Sequence, residues 1–276
     1  MQNFNYHQHT YRCKHADMDM EDEEYIKEHI KMGFKKVAFT DHAPQKNEID
    51  TRSNVRMKYS EKDEYLNSIK KLKEKYADKI QIESGFEVEY LPGEEENLKE
   101  LKKEVDKIVL GQHFVYDENN NLRVTHGAGN YKDDELMKYA RYIKKTMELD
   151  IPDIIAHPDL FMYVRDEFGE LEKEISHIIC KAAEKYDMPL EINLHDIFKK
   201  VYYKKESLSI QEKNEKLKDV RYPCKEFWEI ASNYNIRVLY GADIHRKGEI
   251  LLFNDLVELA NEILGDEIIS KLNFIE

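Results

Sequence analysis

Side chains two apart on a strand point to the same face, so the histidines of Tyr6-His7-Gln8-His9-Thr10 can grip one cation together. Seven of the chain's eleven histidines stand in short segments that each read as the end of a buried strand. Besides His7 and His9 these are His15, His42 in Ala38-Phe39-Thr40-Asp41-His42, His113 after Ile108-Val109-Leu110-Gly111-Gln112, His157 after Ile154-Ile155-Ala156, and His245 in Gly241-Ala242-Asp243-Ile244-His245. A single histidine in such a place is commonly hydrogen-bonded or solvated. An apolar run that ends in His or Asp-x-His four times over is not a packing pattern, because a core strand gains nothing from a polar tip. Neutral imidazole is a common ligand of zinc-like cations and carboxylates complete such sites, so the set reads as a metal site assembled from the whole chain.

The elements that must carry these tips alternate. Apolar or β-branched runs fall near Phe4 to His7, Lys36 to Thr40, Ile80 to Val88, Lys107 to Gln112, Asp153 to Ala156, Met188 to Asn193 and Ile236 to Gly241. Charged segments with helical spacing lie between most of them, as in Tyr65-Ile69-Leu72-Tyr76 and Leu171-Ile175-Ile178-Ile179-Ala182. Strand alternating with helix predicts a parallel sheet, and seven strands with ligands at their C-terminal ends predict an α/β fold of the closed or nearly closed barrel type. Ile250 to Ile269 is expected to be one packing helix. Lys199 to Val220 is expected to be a solvated insertion, or a lid, and Val124 to Asn130 a loop with a solvated His126.

No Pro- or Gly-rich linker divides the 276 residues, and the ligand candidates run from position 7 to position 245, so residues 1–276 are expected to form a single domain. A formal net charge of -13 argues against nucleic-acid binding, which needs a surplus of Lys and Arg. Bound cations would still make the pocket locally positive and draw in a small anionic substrate. The chain shows no apolar run of ~18 residues that could span a bilayer, and Met1 is followed by Gln-Asn-Phe-Asn-Tyr rather than by a signal-like segment, so a cytoplasmic location with no membrane partner is expected. Cys13, Cys180 and Cys224 suit a reducing compartment, Cys13 reading as a buried thiol or an additional metal ligand between His9 and His15.

His7-x-His9, His15, Thr40-Asp41-His42, Gly85-Phe86-Glu87, Gly111-Gln112-His113, Ala156-His157-Pro158-Asp159 and Gly241-Ala242-Asp243-x-His245, in that order, resemble the polymerase and histidinol phosphatase (PHP) family, and within it the histidinol-phosphate phosphatases. The resemblance runs from Tyr6 to Arg246. It implies a distorted (β/α)7 TIM-like barrel and two to three divalent metal ions. By similarity His7, His9, Glu87 and Asp243 hold one ion, Glu87, His113 and His157 a second with Glu87 as bridge, and His15, His42 and His245 a third. Two neighbouring cations would lower the pKa of a bridging water to give a hydroxide nucleophile near neutral pH, and Asp243 would order it or accept its proton. Glu83, Glu87 and Glu89 share one strand face, and the family pattern selects Glu87.

A guanidinium matches a phosphoryl group as a planar fork, which makes Arg165 the first candidate for substrate phosphate, followed by Arg246 and Lys199. After Glu191-Ile192-Asn193 the family has a small, Gly-containing, often basic turn, whereas this chain reads Leu194-His195-Asp196-Ile197-Phe198-Lys199-Lys200. His195 is then a candidate substrate contact or acid for the leaving alkoxide. The implied reaction is hydrolysis of L-histidinol phosphate to L-histidinol and phosphate, a step of histidine biosynthesis. The alternatives are another small phosphate ester or a nucleotide as substrate, amide or ring hydrolysis, and a non-catalytic metal-stabilised binding module. The donor set suits zinc, manganese, iron or cobalt alike.

Overall fold

The computed structural model describes residues 2–44, 55–126, 131–203 and 208–276. Its strands are β1 (Phe4–Asn5), β2 (Lys36–Phe39), β3 (Gln81–Val88), β4 (Lys107–Leu110), β5 (Phe114–Tyr116), β6 (Leu122–Val124), β7 (Ile154–Ile155), β8 (Leu190–Asn193), β9 (Arg237–Gly241) and β10 (Asn273–Phe274). All seven expected strands are present, and eight of the ten strands belong to the parallel order β1-β2-β3-β4 and β7-β8-β9-β10. The chain divides into two compact units, each built from three separate stretches: residues 1–88, 93–109 and 241–253, and residues 89–92, 110–240 and 254–276.

In the first unit β1 pairs with β2 in the register Phe4↔Lys36, and β2 with β3 in the register Lys36↔Gln81. Asp106 N donates to Ser84 O at 2.9 Å, joining the approach to β4 onto β3. Val37, Ala38 and Phe39 are buried on both faces, as a parallel strand covered by helices must be. The helix Asp22–Lys31 buries Tyr25, Ile26 and His29, and the helix Lys62–Lys75 buries Tyr65, Ile69 and Leu72, the one-sided stripe that its sequence spacing dictates. Asp22, Glu23 and Glu24 occupy the first turn of the former, where negative charge complements the helix dipole.

In the second unit β7 pairs with β8 through Ile155↔Leu190, and β10 with β9 through Asn273↔Arg237. Ala156 N donates to Leu110 O at 2.9 Å, so the segment ending in His157 lies against the end of β4. The helices Asp133–Glu148 and Glu170–Lys185 pack on each other, and Tyr139 and Ile143 of the first and Ile175 and Ile179 of the second are fully buried.

Two expectations are corrected. Phe114–Tyr116 and Leu122–Val124 form an antiparallel hairpin where no strand was expected; Asn120 closes its turn at φ +58°, a conformation that Asn tolerates. The expected single C-terminal helix is three, Lys247–Leu251, Phe253–Leu264 and Asp266–Ile269, with Gly265 at φ +82° ending the second of them. Within the expected solvated insertion the described residues include a mostly exposed helix, Ile210–Leu217, capped by Ser209, which accepts from Glu212 N. Among the described residues no helix is long and apolar enough to cross a membrane.

Candidate metal centre

Backbone hydrogen bonds carry β1 beyond its formal end and aim its histidines. Thr40 N donates to Gln8 O at 2.9 Å, His9 N to Ile244 O at 2.8 Å, and Ile244 N to His7 O at 3.2 Å. Asn5 ties the same two segments: its Nδ2 donates to His7 O at 2.9 Å and its Oδ1 accepts from Ala242 N at 3.0 Å. Period-two alternation then puts His7 and His9 on one face, and both are completely buried.

Their Nε2 atoms converge on two carboxylates. His7 Nε2 lies 3.5 Å from Glu87 Oε1 and 3.4 Å from Asp243 Oδ1. His9 Nε2 lies 3.4 Å from Glu87 Oε2 and 3.1 Å from Asp243 Oδ1. His42 Nδ1 approaches Glu87 Oε2 to 2.9 Å. His245 and His15 face each other with their Nε2 atoms 2.8 Å apart, and the His9 ring centroid is 4.3 Å from that of His245 and 4.5 Å from that of His42. Five imidazoles and two carboxylates of the first unit therefore share one small space.

The chemistry of this donor set fits divalent cations. His7, His9 and Asp243, His9, His42 and Glu87, and His15, His42 and His245 each bring their ligand atoms within 4.8 Å of one another. Neither ring nitrogen of the buried His9 has a hydrogen-bond partner, and an imidazole stripped of water and left so is costly unless an ion or proton is held there. Asp243 stands at φ +49°, a left-handed conformation that a non-glycine residue keeps only where its surroundings demand it. His157, a ligand candidate of the second unit, has φ +29°.

Several residues that the sequence reading left without a role hold this arrangement. Asp41, fully buried beside His42, accepts from Thr10 N and Thr10 Oγ1, both at 2.9 Å, and burial pushes its carboxyl up from the usual range. Arg12 donates to Thr10 Oγ1 at 3.2 Å while its guanidinium is clamped by Asp22 at 2.7 Å and Glu64 at 3.2 Å. Gly85 permits a close approach: a Cβ there would stand 2.6 Å from Lys107 O and 2.9 Å from Thr40 Cγ2. Cys13 is buried close enough to His9 and His245 to share a ligand group with them. Burial pushes its thiol up, against the thiolate that a metal would need.

The remaining candidates of the first unit and those of the second can be placed one by one. Arg246 Nη1 lies 3.1 Å from Asp17 Oδ1, while Glu249 Oε2 accepts from both His245 N and Arg246 N. In the second unit His113 Nδ1 lies 3.1 Å from Glu89 Oε1, and the His113 and His157 rings are 5.0 Å apart. Glu83, the third acid of β3, pairs instead with Lys36 at 2.9 Å, near the start of the strand. Arg165 Nε is held by Glu172 Oε1 at 2.7 Å, and Lys199 Nζ sits 5.9 Å above the Tyr163 ring. His195 is half-buried, with its N–H on Asn193 Oδ1 at 2.9 Å. Asp159 is fully buried and accepts from Cys224 N at 2.7 Å and Trp228 Nε1 at 3.0 Å; burial holds its carboxyl up at about 7. His126 is exposed, as its loop position suggested.

The PHP domain profile matches residues 5–195. A protein of Schizosaccharomyces pombe assigned as a histidinol-phosphatase is 31% identical over 209 residues, 66% of this chain and 65% of that protein. The histidinol-phosphatase of Bacillus subtilis is 26% identical over 140 residues, 48% of this chain and 52% of that protein. The matches thus span just under two thirds and about half of these relatives' lengths. Among solved structures, a protein of Listeria monocytogenes assigned as the histidinol phosphatase hisK superposes with a TM-score of 0.72 at 23% identity, covering 90% of this chain and 97% of that one. The histidinol phosphate phosphatase of Lactococcus lactis, solved with zinc, L-histidinol and phosphate, gives 0.63 at 16% identity, covering 94% of each chain. At these identities the likeness shows the fold, which is of the α/β, TIM-like class expected from the sequence.

Proposed function

The chain belongs to the PHP domain family, whose profile spans well over half of it, and from that premise we propose that it is a metal-dependent phosphomonoesterase hydrolysing L-histidinol phosphate to L-histidinol and inorganic phosphate. The observation that carries the reading is the convergence of His7, His9, His15, His42, Glu87, Asp243 and His245 in the first unit. The substrate choice draws on the relatives named above, two of them called histidinol-phosphatases and one solved with L-histidinol and phosphate. Residues 1–276 are taken as one functional domain, since the ligand candidates span positions 7 to 245.

In this proposal His7, His9, Glu87 and Asp243 hold one ion, and His15, His42 and His245 hold another. His113 and His157 are the imidazoles that the resemblance assigns, with Glu87, to a further one. Such ions would supply Lewis acidity toward water and toward the phosphoryl oxygens. Zinc suits this nitrogen-rich set, and manganese, iron or cobalt would fit the same donors.

The chain's own groups account for the rest. Water adds to phosphorus, the bond from phosphorus to the ester oxygen breaks, and a proton ends on the departing alcohol. Asp243 is the carboxylate proposed to orient that water or take its proton, and Glu87 faces three imidazoles, those of His7, His9 and His42. His195 is proposed to supply the proton to the leaving oxygen. Arg165, Arg246 and Lys199 are the cations proposed for the phosphate; the first two would have to share their guanidinium groups with Glu172 and Asp17. The three buried free thiols, Cys13, Cys180 and Cys224, support the proposed cytoplasmic location. Phosphate release from L-histidinol phosphate by zinc-reconstituted protein tests the reading, and its absence at every metal loading would overturn it.

A further inference from the structure

In the second unit five rings form a closed circuit. The centroid of His113 lies 5.0 Å from that of His157, His157 6.3 Å from Tyr222, Tyr222 6.3 Å from Tyr163, Tyr163 6.4 Å from His126, and His126 5.4 Å from His113. Exposure is graded around it: His157 and Tyr222 are buried, His113 and Tyr163 are half-buried, and His126 is exposed. The circuit thus has a closed side and an open one.

Tyr222 is held in the circuit by its backbone. Arg221 N donates to Asp196 Oδ2 at 2.7 Å and Cys224 N to Asp159 Oδ2 at 2.7 Å, so the residues on both sides of Tyr222 and Pro223 are pinned by fully buried carboxylates. Trp228 Nε1 adds a second donor to Asp159 at 3.0 Å. Two buried carboxylates are an expensive way to fix a surface loop, but they suit a segment that must present one ring in one place.

Aromatic faces are electron-rich. They favour a cation or an offset planar ring and disfavour a phosphate dianion. One face already takes a cation, since Lys199 Nζ stands 5.9 Å above Tyr163. We infer that the tyrosine side of this circuit, away from the two imidazoles proposed for a metal ion, receives the organic end of the substrate, a planar imidazole on an amine-bearing chain, with Tyr222 and Tyr163 setting specificity. This inference rests on the phosphomonoesterase reading for its substrate class, but the binding surface is argued from the rings alone.

The test compares wild type with Tyr222→Leu, Tyr222→Phe and Tyr163→Leu, each zinc-reconstituted with zinc content measured. One readout is the preference in kcat/KM for L-histidinol phosphate over phosphoethanolamine, which has the amine but no ring; the other is the calorimetric Kd of L-histidinol. Both leucine variants should lower the preference and weaken L-histidinol binding by about tenfold or more at unchanged zinc content, with the change in KM, and Tyr222→Phe should restore both. Tyr163→Leu, at a half-buried site, keeps the test decisive if Tyr222→Leu does not fold. Unchanged ratios and affinities in the leucine variants, or no L-histidinol binding by wild type, would overturn the inference. Ring-dependent L-histidinol binding without phosphate release would instead sink the hydrolase reading and leave this one standing.

Discussion

Nδ1 of His42 stands 2.9 Å from Oε2 of Glu87, and the backbones of the same two residues bridge in parallel register. Ala43 N donates to Glu87 O at 2.8 Å, while Glu87 N donates to Asp41 O at 3.0 Å and to Thr40 O at 3.2 Å. The contact between imidazole and carboxylate is therefore fixed by backbone pairing that continues the β2–β3 register past the end of β2. A ligand pair set by sheet register is held more tightly than one set by side-chain rotamers alone.

Glu87→Gln is expected to lower activity by about 100-fold or more and to release metal, because one carboxylate faces His7, His9 and His42 together. Glu89→Gln should do much less, since Glu89 meets His113 instead. Parallel measurement of zinc content and phosphate release decides it; equal losses in the two variants would show that the wrong acid has been assigned.

Gly85→Ala should destabilise the protein by about 1–3 kcal/mol, the range for inserting a methyl group into a filled space. The new Cβ would meet a backbone oxygen, Lys107 O, at 2.6 Å, which cannot swing aside as a side chain can. Urea unfolding of the metal-free protein measures this. A midpoint equal to that of wild type would mean that the strands separate at no cost.

Removing Asp41 tests positioning rather than ligation. Asp41→Ala deletes the acceptor of both Thr10 donors, so the segment bearing His9 loses its anchor, and zinc affinity should fall by about 10- to 100-fold. Competition with a chromogenic chelator reads the affinity directly, and an unchanged value would confine Asp41 to packing.

The histidine tips and their strands were legible because each tip follows an apolar run and strand periodicity is local. Asp41, Thr10 and Arg12 were not, because their partners lie 10 to 52 residues away and only the fold brings them together. The commitment of Arg165 to Glu172 was hidden for a different reason: a guanidinium matches a carboxylate and a phosphate alike, so composition cannot say which it serves. The β5–β6 hairpin escaped notice because three-residue strands are too short for alternation to stand out.

His29 gives a pH dependence separate from the metal centre. It is fully buried against Phe34, its Nδ1 lies 2.8 Å from Tyr25 O, and burial holds its pKa down at about 4 against an ordinary 6.5. Between those values the unfolded chain binds a proton that the native state does not. Stability from this group is thus full above pH 6.5, falls as pH drops, and is lost once pH passes about 4, a change of about 3 kcal/mol. Metal-free wild type should lose that much more stability than His29→Gln between pH 7 and pH 4; parallel losses in both would contradict it.

The central claim is that a metal cluster in this chain hydrolyses one phosphate ester in preference to others. The most direct measurement is steady-state phosphate release by the zinc-reconstituted protein on L-histidinol phosphate and on an aryl phosphate, with bound metal quantified in the same sample. The account predicts more than one equivalent of metal and a kcat/KM at least ~100-fold higher for L-histidinol phosphate, since contacts remote from the phosphate contribute to transition-state binding. Comparable rates on the two esters, or phosphate release that survives complete removal of metal, would contradict it.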